Sequence, residues 1–287
     1  MKNKMLIGIV VILIIVTGCK ILRPKQEDVT PEVVEYHIGK EGLVLGLIEG
    51  RPPKEIWPGS DFLVEVELRN KGAYDINNGV IKLHGFNPRY VLPSEGEKRL
   101  QKLKGKQLGY PEGDYATLQF EESNVLAPPG EEPLSFTVSA EYDYATEASA
   151  EICISPDLNP IVKTPETICE VKEINLKGGQ GAPIAVTKIN EIPSYRDMNL
   201  NLNFILDIEN VGEGEVLGDI FLESVRVGGQ VLTCDQPAFK LEEKKARIKC
   251  EMNIYRPAGP YTSVVAAKLS YRYKTKLDHK IKVIRID

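Results

Sequence analysis

The stretch FLVEVELRNKG, from Phe62 to Gly72, sets Phe62, Val64, Val66 and Leu68 on one side of an extended chain and Leu63, Glu65, Glu67 and Arg69 on the other. Alternation with period 2 is the pattern of a half-buried β-strand, because successive side chains of a strand point to opposite faces of its sheet. The run ends at Asn70-Lys71-Gly72, residue types that suit a tight turn. A second stretch, NFILDIENVG from Asn203 to Gly212, repeats the pattern 140 positions later, and Asn210-Val211-Gly212 takes the place of the first turn. A further landmark recurs in the same order: EYDYAT (141–146) is answered by SYRYKT (270–275), 129 positions on. Two landmarks repeated in one order point to two homologous modules.

The same alternation governs the rest of the body. Leu200, Leu202, Phe204, Leu206 and Ile208 alternate with mostly polar residues, and Leu134, Phe136, Val138 and Ala140 alternate with Ser135, Thr137 and Ser139. Glu95 to Lys106 (EGEKRLQKLKGK) holds Gly96 and Gly105 and many charges, so it reads as a loop followed by a strand and not as a helix. Many short one-sided strands must bury their apolar faces against each other, which predicts an all-β fold of two tandem immunoglobulin-like β-sandwich domains. The 287 residues suit two such domains. The expected organisation is a leader over 1–18, a tether over 19–41, a first sandwich over 42–154, a linker over 155–182 and a second sandwich over 183–287.

The leader carries Lys2 and Lys4 and then the apolar run Met5 to Val16, the layout of a signal peptide. Its uncharged stretch, Met5 to Cys19, is 15 residues, short of the roughly 20 that a spanning helix needs. Val16-Thr17-Gly18-Cys19 resembles the lipobox of bacterial and archaeal lipoproteins. That resemblance implies cleavage after Gly18, lipidation of the Cys19 sulfur and attachment to a membrane through the lipid. The other reading of these residues is an uncleaved signal anchor. Both place residues 20–287 outside the cytoplasm. The charge is −5, and removing Lys2 and Lys4 with the leader makes it −7. With no dense basic block, nucleic-acid binding is disfavoured.

Five cysteines leave one over in a secreted protein, and lipidation of Cys19 accounts for it. Among the three ways of joining the other four, nearest neighbours are expected: Cys153 with Cys169 and Cys234 with Cys250, each pair enclosing 15 residues. A metal held by these thiolates is disfavoured, since there is no C-x-x-C pair.

The runs ELRNKGAYDINNGVIKL (67–83) and DIENVGEGEV (207–216) resemble the strand, turn, strand segment of CARDB-type and related immunoglobulin-like domains of archaeal and bacterial cell-surface proteins. KGGQGAPIAVT (177–187) and GLVL (42–45) are similar to uncharacterised archaeal envelope proteins with paired domains of this kind. The resemblance implies an adhesive, structural or spacer role and supplies no catalytic residue. Residues 88–121 exceed a plain sandwich loop and read as either a recognition element or a broad hairpin.

No catalytic, cofactor or metal site is assembled from the sequence, which therefore reads as non-enzymatic. His37, His84 and His279 lie far apart, and there is no H-E-x-x-H and no G-x-S-x-G. The glycines at 178, 179 and 181 lack a following Lys-Ser or Lys-Thr, so they make a turn and not a phosphate cradle. Glu65 with Glu67 and Asp207 with Glu209 fall opposite the apolar positions, where carboxylates hydrate a surface. Asp75, Asn77 and Asn78 are the best oxygen cluster for calcium, without a full ligand set. Tyr142 with Tyr144 and Tyr271 with Tyr273 put two aromatics on one strand face, a platform for sugars or a packing surface. Trp57, in a proline-framed loop, is either a plug at a sandwich end or an exposed contact. The expected partner beyond the membrane is an envelope protein or a surface glycan.

Overall fold

The architecture was obtained as a computed structural model, which describes residues 36–126, 133–156, 169–196, 198–255 and 259–284. The leader, Cys19 and the tether up to residue 35 lie outside the described residues. Twenty strands and no helix make up the described chain. The first repeat contains β1 (Leu43–Leu47), β2 (Glu55–Ile56), β3 (Asp61–Phe62), β4 (Glu65–Asn70), β5 (Gly79–His84), β6 (Val91–Leu92), β7 (Gly96–Arg99), β8 (Tyr115–Gln119), β9 (Ser123–Val125) and β10 (Leu134–Ile154). After β11 (Ile174–Asn175), the second repeat contains β12 (Ile184–Arg196), β13 (Asn199–Asn210), β14 (Glu215–Val216), β15 (Ile220–Val227) and β16 (Gln230–Val231). It ends with β17 (Thr233–Cys234), β18 (Ala238–Phe239), β19 (Lys245–Tyr255) and β20 (Tyr261–Val283).

The strands form where the alternation predicts them. Phe62, Val64, Val66 and Leu68 are buried, as are Leu200, Leu202, Phe204, Leu206 and Ile208. Val66 and Leu68 lie on β4, in a sheet of order β1-β4-β8, and the second set lies on β13, in one of order β11-β12-β13-β19-β17, while Phe62 lies on β3 and Val64 between β3 and β4. Their apolar faces join one hydrophobic core with a large third sheet, whose main path is β16-β15-β20-β10-β5-β7. The fold is thus all-β and sandwich-like. A small sheet, β3-β9-β6, lies off these layers.

The third sheet departs from the expected separation of the repeats. Residues 42–154 and 183–287 do not meet only through a linker at 155–182; Tyr36–Asp287 is one compact unit. Strands β10 and β20 pair antiparallel without interruption from Leu134 opposite Ile281 to Ile154 opposite Tyr261, about 70 Å at the usual rise per residue. Neither strand contains Gly or Pro, so nothing in the local sequence ends them where their own repeat ends. Each runs past its repeat and spends its backbone donors and acceptors on the other.

The pairing register carries a two-fold symmetry. Tyr142 lies opposite Tyr273 and Tyr144 opposite Tyr271, while the repeat itself maps Tyr142 onto Tyr271 and Tyr144 onto Tyr273. Both relations hold only about an axis through the pair Asp143 and Arg272, which are also equivalent residues. Their side chains form an ion pair of 3.1 Å. The sheet order reads the same from either edge: β16-β15-β20 on one side of the axis, β7-β5-β10 on the other.

Residues 88–121 cross between layers. They supply β7, which pairs with β5 in the shared sheet, and β8, which pairs with β4 in the other. Within Glu95–Lys106 the strand comes first, at Gly96–Arg99, and the loop follows, the reverse of the expected order. Gly96 makes room at this crossing: a Cβ there would sit 2.8 Å from the Phe120 ring.

Candidate interaction surfaces and the tyrosine junction

Asn70 is fully buried at the end of β4, and its amide organises the turn that follows. The side-chain carbonyl accepts from the Gly72 N–H (3.2 Å) and from the Tyr144 hydroxyl (3.2 Å), and the amide nitrogen donates to Tyr74 O (2.7 Å) and Leu103 O (3.2 Å). Asn210 does the same in the second repeat: it accepts from Gly212 N–H (3.2 Å) and the Tyr273 hydroxyl (3.0 Å) and donates to Gly214 O (2.8 Å). The Asn-x-Gly motif is therefore a socket for a tyrosine from the long strand. Its glycine is a matter of space, since a Cβ on Gly72 would lie 2.0 Å from the Tyr144 oxygen and one on Gly212 2.7 Å from the Tyr273 oxygen.

The other two tyrosines are also spent on structure. Tyr142 accepts from the Leu43 N–H (3.0 Å), and Tyr271 shares a hydrogen bond with Thr146 Oγ1 (3.0 Å). The four rings close into a ring of edge contacts with centroids 5.6 to 6.4 Å apart. All four are buried. Burial pushes the hydroxyls of Tyr142, Tyr144 and Tyr271 above their ordinary range and that of Tyr273 up to about 12, so all four stay protonated. The tyrosines form a packing surface, not a platform for sugars. The glycine turn closes over this junction: Gly39 N–H bonds to Gly178 O, Gly181 N–H to Gly39 O and Ala73 N–H to Gly181 O.

The remaining candidate residues do not converge. Asp75 accepts from the Gly105 N–H and pairs with Lys102 at 3.2 Å, whereas Asn78 donates to Asp143. Among the described residues no group of three His, Cys, Asp or Glu is placed to hold a metal ion. His37 leans on the Tyr74 ring, His279 meets the Phe136 ring, and His84 Nε2 lies 3.1 Å from Ser139 Oγ. That last pair lies on the outer face of the shared sheet, where Ser139 is flanked by Lys82 and Lys276 and where Asp278 accepts from Thr137. The strand carboxylates are matched with cations: Glu65 with Arg51, Glu67 with Arg69, Asp207 with Arg247 and Glu209 with Lys245. Exposed pairs of this kind contribute little to stability.

Trp57 is 51% exposed, in the loop between β2 and β3. The same loop bonds to β9 through Gly59 N–H and Val125 O, and Leu92 and Leu126 are exposed in this small-sheet region. Cys153 is joined to Cys169 and Cys234 to Cys250. The first bond starts from Cys153 on β10 of the shared sheet, and the second lies within the five-stranded sheet of the second repeat. The second ties β17 to β19, and the first holds the segment that leads into β11, which pairs with β12.

One buried carboxyl escapes a reading by alternation. Glu191 on β12 is 7% exposed, and its Oε1 has no hydrogen-bond partner. It lies opposite Phe204, which in turn lies opposite Cys250. Burial raises its pKa to about 7. The pairing slips between Val186 and Lys188, and this bulge turns Ile189 and Glu191 inward.

No protein-family model matches the chain, and no curated protein matches it. Among solved structures, it is similar to the secreted serine protease VesC from Vibrio cholerae, with a TM-score of 0.21 and 10% identity over 85% of this chain. The match spans 52% of that protein. A likeness this distant carries no functional argument.

Proposed function

We propose that this chain is a non-catalytic, lipid-anchored protein of the cell envelope that acts as a rigid structural, adhesive or interaction scaffold. The observation that carries the reading is the uninterrupted pairing of β10 with β20. It welds the two repeats into one body and commits the tyrosines that could have bound a ligand to holding the weld. The first described residues, around Gly39, bond to the glycine turn at the repeat junction. Two disulfides suit an oxidising compartment, and the leader with Val16-Thr17-Gly18-Cys19 supplies the address. The exposed Trp57 favours one further reading, an accessory lipoprotein that binds a glycan or another ligand through that loop.

The test follows the full chain in cells fed a labelled lipid precursor. The label is expected on the membrane-bound protein and lost in Cys19→Ser. Recovery of the native chain from cytosol, unlabelled and still beginning at Met1, would refute the anchored reading. A glycan array probed with wild type and Trp57→Ala separates the scaffold from the accessory protein.

A further inference from the structure

The two repeats differ at one sheet edge. Equivalent backbone bonds, Asn70 N–H to Asp114 O and Asn210 N–H to Lys244 O, align β8 with the start of β19, so that Tyr115, Thr117 and Gln119 correspond to Lys245, Arg247 and Lys249. In β19 the outward edge is occupied. Asp235 bonds both ways with Lys249, through its own N–H to Lys249 O (2.9 Å) and through its carboxylate to the Lys249 N–H (3.1 Å). β17 pairs beside it and is fastened by Cys234–Cys250. In β8, Asp114 and Phe120 face β4, as Asn70 N–H to Asp114 O and Phe120 N–H to Val64 O show, so Thr117 and Gln119 turn their N–H and C=O groups away from it. Among the described residues no strand pairs with that side. The Tyr115 N–H is satisfied by its neighbour Asp114.

Exposed edges are usually protected by charge, proline or a bulge, because an open row of donors and acceptors recruits another strand. The nearby edge strand β7 has Glu97, Lys98 and Arg99. Strand β8, Tyr-Ala-Thr-Leu-Gln, has no charge, no proline and no bulge. We propose that β8 is an interface for a second copy of this chain, pairing antiparallel with its own counterpart about a two-fold axis at Thr117. This goes beyond the scaffold reading, which needs no self-association.

A second copy is the fitting occupant for three reasons. In a two-fold pairing Thr117 lies opposite Thr117 and Tyr115 opposite Gln119, so no like charges meet within the paired strands, Tyr115–Gln119. The N–H and C=O of Thr117 then exchange hydrogen bonds with their copies, and each Gln119 N–H faces a Tyr115 C=O, leaving idle the Tyr115 N–H, which Asp114 already holds, and the Gln119 C=O opposite it. Finally, the chain already docks its own repeats in this way, edge to edge and antiparallel, at β10 and β20. Copies confined to one membrane surface would meet at high effective concentration, which suits a short interface of this kind.

The experiment uses the full chain in its membrane with Thr117→Cys and a short bismaleimide cross-linker. Opposed residues of a hydrogen-bonded antiparallel pair lie about 5.5 Å apart, within its span. A covalent dimer of the chain is expected. Adding Tyr115→Lys and Gln119→Lys, residues that the second repeat carries at the equivalent positions without harm to its fold, is expected to abolish that dimer. Glu147→Cys, exposed on the shared sheet, sets the background. The proposal is overturned if Thr117→Cys gives no dimer above this background, if the lysines leave the dimer intact, or if the cross-link captures a different protein in place of a second copy.

Discussion

The two repeats share a socket and differ in what guards it. In each, an asparagine closing the inner strand of the sandwich receives a tyrosine hydroxyl from the long shared strand, and a glycine two residues on makes room for it. Around that common centre the second repeat is covered and cross-linked, with β11 and β17 flanking its sheet, while the first has three strands in the equivalent sheet and no disulfide across it. The comparison separates what the fold requires from what a surface permits. The socket recurs on both repeats and fixes one tyrosine of each long strand against the inner strand of its own repeat. Sheet edges vary because pairing them is a matter of protection or partnership.

The sharpest way to break the comparison is at the sockets themselves. Asn70 makes one more hydrogen bond than Asn210, to Leu103 O, and is more deeply buried. Asn70→Ala would strip the Gly72 N–H and the Tyr74 C=O of their partner and take one bond each from the Tyr144 hydroxyl, which keeps the Tyr74 N–H and Gly181 O, and from Leu103 O, which keeps the Ile76 N–H. A loss of about 3–4 kcal/mol of stability is expected, against about 2 kcal/mol for Asn210→Ala. Denaturant unfolding of the two variants measures the difference; equal losses would mean that burial does not distinguish the sockets. Next in size is the guarded edge. Replacing Cys234 and Cys250 together by Ala removes a cross-link closing a loop for which the chain-entropy model gives about 3 kcal/mol. Hydrogen exchange should rise at Lys249, whose N–H is held by Asp235, and not at the β10–β20 pairs.

Much of this was readable in advance, and the exceptions share a cause. Alternation marked the buried faces at 62–68, 134–140 and 200–208, because a strand's period is a property of a few consecutive residues. The duplication was visible for the same reason. That Tyr142 would face Tyr273 across a two-fold axis was not: the register between distant strands depends on partners that no local window contains. The tyrosines were accordingly legible as a pair of aromatic pairs but not as plugs for Asn70 and Asn210. The open edge of β8 was hidden too, since it shows only when β19 is aligned beside it and the Asp235 contact is seen. Glu191 was obscured by the bulge at Val186–Lys188, which reverses the parity of every later residue on β12.

That reversal gives the smallest and most selective of the expected effects. Leu47 pairs with Val66 and Ile189 with Leu206, which are equivalent positions, so Glu49 and Glu191 occupy the same place two residues later. The chain of the first repeat turns away there, through the bridge of Ile48 with Arg51, and Glu49 is exposed. Strand β12 continues instead and carries its carboxyl inside. With a native pKa raised by burial from 4.5 to about 7, Glu191 keeps a proton that the unfolded chain releases across that window. Unfolding free energy therefore falls as pH rises from about 4.5 to about 7 and levels off above it. The shift, discounted for the part of the carboxyl that water reaches, amounts to about 2 kcal/mol. Glu191→Gln should remove this slope and raise stability above neutral pH while changing little in acid, with Glu49→Gln as the matched control at the exposed turn. Denaturation midpoints of both variants across the acid-to-alkaline range test it; a slope that survives in Glu191→Gln would show that the buried carboxyl is not its source.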